Sequence, residues 1–136
     1  MATVLTFLSD EWIAALDHAV SHDETLASLT ADLSLVIEQE VTGGPLGDVR
    51  YHVTFDHGTV SVTPGPAAAP TVRFLQDHET AAAIALGTGS AQRAFMTGRL
   101  RVGGDLRVLL DHTAVLAQLD DVFADVRART QTGSVA

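Results

Sequence analysis

The chain contains no cysteine and no lysine. Without cysteine there is no disulfide, no thiolate zinc site and no cysteine nucleophile, which fits a reducing compartment. Aromatic residues are scarce at 5 %, with Trp12 the single tryptophan and Tyr51 the single tyrosine. Charged residues make up only 18 % against 46 % hydrophobic ones, which excludes both a disordered chain and a coiled coil. Positive charge is sparse as well, since 8 arginines face 17 acidic residues and leave a net charge of −9. Those arginines (Arg50, Arg73, Arg93, Arg99, Arg101, Arg107, Arg127 and Arg129) are dispersed along the chain. A nucleic-acid partner needs a concentrated basic face, so none is expected, and contact with an anionic membrane is at most transient. The longest wholly apolar run, Ala81 to Leu86, is far too short to cross a bilayer. The opening MATVLTFLSDEW lacks the basic flank and apolar length of a signal peptide, so the expected location is cytoplasmic.

What remains is a chain of 136 residues, enough for one core and one domain. Residues 1–130 are expected to form that domain and residues 131–136 a flexible C-terminal tail. Mean hydropathy is positive, at +0.22. That implies either a large core for the chain length or an internal space lined with apolar side chains.

Local patterns order the elements. Ser9 is a good N-cap, and Asp10 and Glu11 place negative charge at the positive end of a helix. Trp12, Ile13, Leu16, Ala19 and Val20 then form one stripe at helical spacing, with Leu8 placed to staple onto Ile13. A short turn of helix fits Asp23 to Leu29. Four alternating segments follow: Leu33, Leu35, Ile37 and Val41; Val49, Tyr51, Val53 and Phe55; Val60 and Val62; Val72 and Phe74. A period of two with one polar face predicts a mostly antiparallel sheet, buried on one side and solvated on the other. Asp77 can cap a helix ending at Leu86-Gly87, and Ser90 another ending at Thr97-Gly98. Arg99 to Val102 alternates as a fifth strand, which Gly103-Gly104-Asp105 breaks. One or two helices then carry Leu106, Leu109, Leu110, Val115, Leu116, Leu119, Val122, Phe123 and Val126. The predicted class is α+β: a five-stranded, mostly antiparallel sheet with helices packed on one face. Cone-shaped α+β domains that host isomerases place several helices before the sheet, an order this chain lacks.

Chemical machinery is harder to find. His18 and His22 stand one helical turn apart, a spacing that suits a metal, but two ligands make a poor site and both lie off the apolar stripe. Four histidines follow an aspartate directly (Asp17-His18, Asp56-His57, Asp77-His78 and Asp111-His112). Neighbouring side chains diverge on strands and helices alike, so adjacency alone makes no acid–base dyad. No serine sits in a nucleophile elbow, and Gly87-Thr88-Gly89 and Gly103-Gly104 lack the full dinucleotide and phosphate-loop patterns. No cofactor and no metal are expected, and no catalytic residue is assigned.

One stretch is distinctive. Ala94-Phe95-Met96-Thr97-Gly98-Arg99-Leu100-Arg101-Val102-Gly103-Gly104-Asp105 resembles the signature of the sterol carrier protein type two family, also called nonspecific lipid-transfer domains. Members show a small-residue helix ending in Met-x-Gly, a basic-Leu-basic-Val strand, and Gly-Asp opening a helix. The order of the other elements matches over nearly the whole chain. Arg99 and Arg101 stand where many members carry lysine, which keeps the charge. The tail Gly133 to Ala136 is not the peroxisomal tripeptide of some eukaryotic members, so that address is not implied.

The resemblance implies a five-stranded sheet covered on one face by helices and enclosing a hydrophobic cavity. The implied activity is non-covalent binding and intracellular transfer of fatty acids, acyl-CoA, sterols or phospholipids. Bulky apolar residues on the inner sheet face and the covering helices are then the candidate lining. They are Val53, Phe55, Phe74, Leu100 and Val102 from the sheet, and Trp12, Ile84, Phe95, Met96, Leu109, Leu116 and Phe123 from the helices. Met96 suits varied guests because its thioether is adaptable. Arg99 and Arg101 alternate away from Leu100 and Val102 and are expected to face solvent. Two other readings stand beside this one. The same space could serve a cyclase or isomerase acting on a hydrophobic molecule, with Tyr51 as the inward polar group. Alternatively, Leu116, Leu119 and Phe123 could expose an apolar face to a partner protein. No oligomeric state follows from the sequence.

Overall fold

The computed structural model describes residues 5–131 other than 46, 86–88 and 90, with the backbone alone at 91, 92, 125 and 131. Helix α1 (Asp10–Ser21) begins at Ser9, whose extended backbone turns its hydroxyl to accept a hydrogen bond from the Trp12 N–H. The stripe of Trp12, Ile13, Leu16 and Val20 is buried, as helical periodicity requires of a surface helix on a core. Asp23 likewise caps α2 (Glu24–Leu29) by accepting from the Leu26 N–H at 2.7 Å.

Five strands follow: β2 (Ser34–Gly44), β3 (Gly47–Asp56), β4 (Thr59–Pro64), β5 (Val72–Asp77) and, after two helices, β6 (Arg101–Gly104). In space they run β4-β3-β2-β5-β6. Every pairing is antiparallel except β2 with β5, which is parallel. The sheet is therefore mixed. To lay β5 beside β2, the chain after β4 must cross back over β3 and β2. It does so on the outer face, where the Ala67 N–H donates to Glu38 Oε1 at 2.8 Å and the Thr71 N–H to the Val36 carbonyl. That crossing corrects one expectation: the polar face is not uniformly solvated, because the loop leaves Glu38 only 4 % exposed. Arg73 Nε lies 3.7 Å from the same carboxylate.

The remaining helices are α3 (His78–Ala85), α4 (Ala91–Met96), α5 (Leu106–Asp111) and α6 (Thr113–Ala128). Asp77 starts α3 by accepting from the Thr80 N–H at 2.8 Å, and that bond holds its carboxyl below the ordinary range. The expected cap at Leu86-Gly87 and the N-cap at Ser90 lie outside the described residues. Asp105 accepts from the Arg107 N–H at the start of α5. His112, at φ −125° and ψ 38°, separates α5 from α6, so the C-terminal helical stretch is two helices.

A pair of two-residue strands was not expected. In it β1 (Leu5–Thr6) runs parallel to β7 (Thr130–Gln131). The Leu5 N–H donates to the Arg129 carbonyl, and Trp12 Nε1–H donates to Thr130 Oγ1 at 3.1 Å. Two residues carry no period, so alternation could not reveal them. Gln131, the first residue of the expected tail, belongs to this pair, and residues 132–136 lie outside the described ones. Helix α6 packs on α1 and α2. Its Leu116, Leu119 and Phe123 are partly buried against the core, so they are not a free apolar face for a partner protein.

Candidate functional site

The inner face of the sheet can be built from the register. One row across it is Pro64, Tyr51, Gln39, Phe74 and Val102; the next is Val62, Val53, Ile37, Val72 and Gly104. Each strand contributes every second residue. At the β4–β3 end α1 lies over this face, and Val53, Phe55, Val60 and Val62 are all buried. At the β5–β6 end the cover is α3, α4, α5 and the start of α6, and it does not close down on the sheet.

Between them is an apolar pocket of about 500 Å³. Its floor is Phe74, Leu100 and Val102, and its walls are Ile84 of α3, Phe95 of α4, Leu106, Leu109 and Leu110 of α5, and Leu116 of α6. Phe95, Leu106 and Leu110 are also exposed, at 48 %, 43 % and 73 %. The space is therefore open to solvent along α4 and α5. A smaller chamber of about 150 Å³ adjoins it, lined by Phe7, Trp12, Tyr51 and Phe123 together with Asp120 and Arg127. Gln39, Gln76 and Ile84 line both spaces.

Of the twelve residues proposed from sequence, Phe74, Ile84, Phe95, Leu100, Val102, Leu109 and Leu116 line the larger pocket. Trp12 and Phe123 line the smaller chamber. The other three lie elsewhere. Val53 and Phe55, at 3 % and 1 % exposure, are packed into the core, at the end of the sheet where α1 packs on β4. Met96 is 77 % exposed and lines neither space. It is the last residue of α4 and points outward where Phe95 points in. Arg99 and Arg101 are exposed, as alternation requires.

Sequence reasoning passed over Gln39 and Gln76. Both share the parity of inward apolar residues, Gln39 with Leu35, Ile37 and Val41, and Gln76 with Val72 and Phe74. Two polar residues breaking an apolar period were the available signal. Gln76 Nε2–H donates to Gln39 Oε1 at 2.8 Å, and Gln76 Oε1 is buried with no hydrogen-bond partner among the described residues. Tyr51 stands beside Gln39 on β3. Its ring meets Trp12 edge-on at 5.6 Å between centroids, and Trp12 meets Phe7 in the same way at 5.0 Å. Burial pushes the Tyr51 phenol far above its ordinary pKa, so it stays a neutral donor.

The histidines sit elsewhere. The His18 and His22 rings lie tilted against each other, 4.2 Å between centroids, at the exposed C-terminal end of α1. Among the described residues no group of three or more His, Asp or Glu could hold a metal. Asp56 and His57 do meet, Oδ1 to Nδ1 at 2.8 Å. His57 has φ 48°, and that left-handed turn swings its ring back toward the neighbour that a regular strand would hold apart. Both side chains are more than half exposed, and neither lines either space. Among the described residues no helix is long and apolar enough to cross a membrane.

Comparison with known proteins agrees with this geometry. A family model described as the SCP-2 sterol transfer family matches residues 15–117. Among solved structures, a conserved hypothetical protein from Thermus thermophilus superposes with a TM-score of 0.72 at 16 % identity, covering 99 % of each chain. A crystal structure of sterol carrier protein 2 gives a TM-score of 0.69 at 18 % identity, covering 86 % of this chain and 96 % of that one. Sterol carrier protein 2 from Yarrowia lipolytica, in its apo form, gives 0.61 at 16 % identity, covering 93 % and 97 %. At these identities the likeness is one of fold. No curated relative matches the sequence.

Proposed function

This chain belongs to the SCP-2 sterol transfer family, a family of lipid binding and transfer, and from that premise we propose that it carries an apolar lipid non-covalently in the pocket between β5–β6 and helices α3 to α6. The observation behind this reading is an opening of about 500 Å³ lined almost wholly by aliphatic and aromatic side chains, a size typical of small-molecule sites. Fatty acids, acyl-CoA, sterols and phospholipids all present the apolar body such a space takes. Burying ten methylenes yields about 8 kcal/mol gross, and the lost freedom of the guest takes back several kcal/mol. Micromolar binding with loose selectivity follows, which suits a carrier that must also release. Exposed Phe95, Met96, Leu106 and Leu110 at and beside the mouth support loading through transient contact with a lipid surface in the cytoplasm.

No observation favours an enzyme in the same space. A base beside Tyr51 would be required, and Asp120, the carboxylate lining the smaller chamber, is exposed and paired with Arg127 at 2.6 Å. Native mass spectrometry of the purified protein, followed by lipid extraction, tests the reading together with titration of a pyrene-labelled alkyl chain. Saturable uptake at roughly tens of micromolar or below is expected. Phe95→Asp should abolish uptake while leaving the circular dichroism spectrum unchanged. Absence of any bound lipid or probe would remove the proposal.

A further inference from the structure

The inner row of the sheet is not apolar throughout, and its polar members gather where the two spaces meet. Gln39 on β2 and Gln76 on β5 line both the large pocket and the smaller chamber. Their amides are tied to each other by one hydrogen bond of 2.8 Å. That bond uses Gln39 Oε1 and leaves Gln76 Oε1 without a partner among the described residues, although Gln76 is only 9 % exposed. A buried amide oxygen left unpaired is costly, and native structures rarely leave one without a use. Tyr51, next to Gln39 across the strands, lines the same chamber.

Resting on the lipid-carrier reading, we propose that this glutamine pair, where the two spaces meet, is a polar subsite that selects apolar guests bearing a hydroxyl, which donates to Gln76 Oε1 as the amide turns that oxygen toward the guest. A hydroxyl is neutral, small and both donor and acceptor, so it can serve Gln76 Oε1 while accepting from a neighbouring donor such as the Tyr51 phenol. An ionised carboxylate fits poorly. It has no proton to give, and it would need a positive partner in a low-dielectric space. Among the described residues lining either space, Arg127 is the cationic one. Its Nε–H already donates to the Ala85 carbonyl at 2.8 Å and its Nη2–H to Asp120 Oδ1 at 2.6 Å. The subsite therefore ranks an alcohol above its carboxylate counterpart, an order that apolar burial alone would not impose.

Three probes with the same alkyl chain isolate the effect: 1-dodecanol, dodecyl methyl ether and dodecanoate at pH 8. Trp12, which lines the smaller chamber, reports occupancy through its fluorescence, and calorimetry checks the constants. Wild-type protein should bind the alcohol about tenfold more tightly than either other probe. Gln76→Leu should bring alcohol and ether to within about twofold of each other. Gln76→Met provides the same test should the leucine variant fail to fold, and the wild-type ranking needs no variant at all. Ether binding equal to alcohol, or dodecanoate binding more tightly than alcohol, would overturn the subsite while keeping the carrier reading. Binding of none of the three would overturn both.

Discussion

Phe55 and Phe74 rise from the same face of one sheet, yet one is sealed in the core and the other floors a pocket. The backbone beneath them is the same pleated surface, and the difference lies in what covers it. At the end of the sheet that holds Phe55, α1 packs on β4; it is twelve residues long and buried along one stripe, with Trp12 wedged edge-on between Phe7 and Tyr51. Over Phe74 lie α4 and α5, six residues each, and α5 has no buried residue. Helices that short bring too few side chains to fill the gap beneath them. The hollow is thus a property of the lid rather than of the sheet.

Large-to-small substitution should break the symmetry most sharply. Phe55→Ala is expected to cost about 3–5 kcal/mol through lost burial and a cavity. Phe74→Ala, whose ring already borders open space, should cost about 1 kcal/mol or less. Chemical denaturation of the two variants measures the gap, and equal losses would mean that the two ends are equally packed.

Next in size is the frame of the hollow end. Gly104 has φ +90°, and a Cβ there would collide with the Thr71 carbonyl oxygen. Gly104→Ala should therefore cost about 2 kcal/mol. At Gly98, with φ +79°, a Cβ would meet nothing within 4 Å, so Gly98→Ala should cost about 1 kcal/mol from backbone conformation alone. The two melting temperatures distinguish them.

Overfilling sharpens the comparison from the other side. Val53→Trp must force apart a packed core and should cost about 1–3 kcal/mol. Val102→Trp should leave the melting temperature within a few degrees and lower lipid uptake about tenfold by occupying the guest's space. Unchanged uptake in that variant would place the guest elsewhere.

The smallest effect concerns the start of α3, which walls the pocket. Asp77 has a depressed pKa because it accepts from the Thr80 N–H. Its contribution is complete above the ordinary carboxylate pKa and fades as pH falls through the depressed native value. Asp77→Ala should cost about 1 kcal/mol at neutral pH. Wild type and variant should converge in stability as pH drops through the acidic range, in parallel denaturation curves.

Much of the fold was legible because each element carries its own local code. Ser9, Asp23, Asp77 and Asp105 mark helix starts, and period-two runs mark five strands. The β1–β7 pair was not legible, since Leu5–Thr6 and Thr130–Gln131 are too short to show any period. Glu38 was misread as solvated because the loop that buries it comes from far along the chain. Residue parity identified Phe74, Leu100 and Val102 as inward, and by the same logic Val53 and Phe55. Parity gives the face of a strand but not the height of the roof above it.

The sequence by itself determined the class, the inward face and the helix starts, because capping, alternation and helical spacing act over a few neighbouring residues. Only the tertiary structure decided where the interior is solid and where it is hollow, and that Gln39 and Gln76 meet across β2 and β5. Those outcomes depend on distances between elements far apart in the chain, set when all of them pack at once.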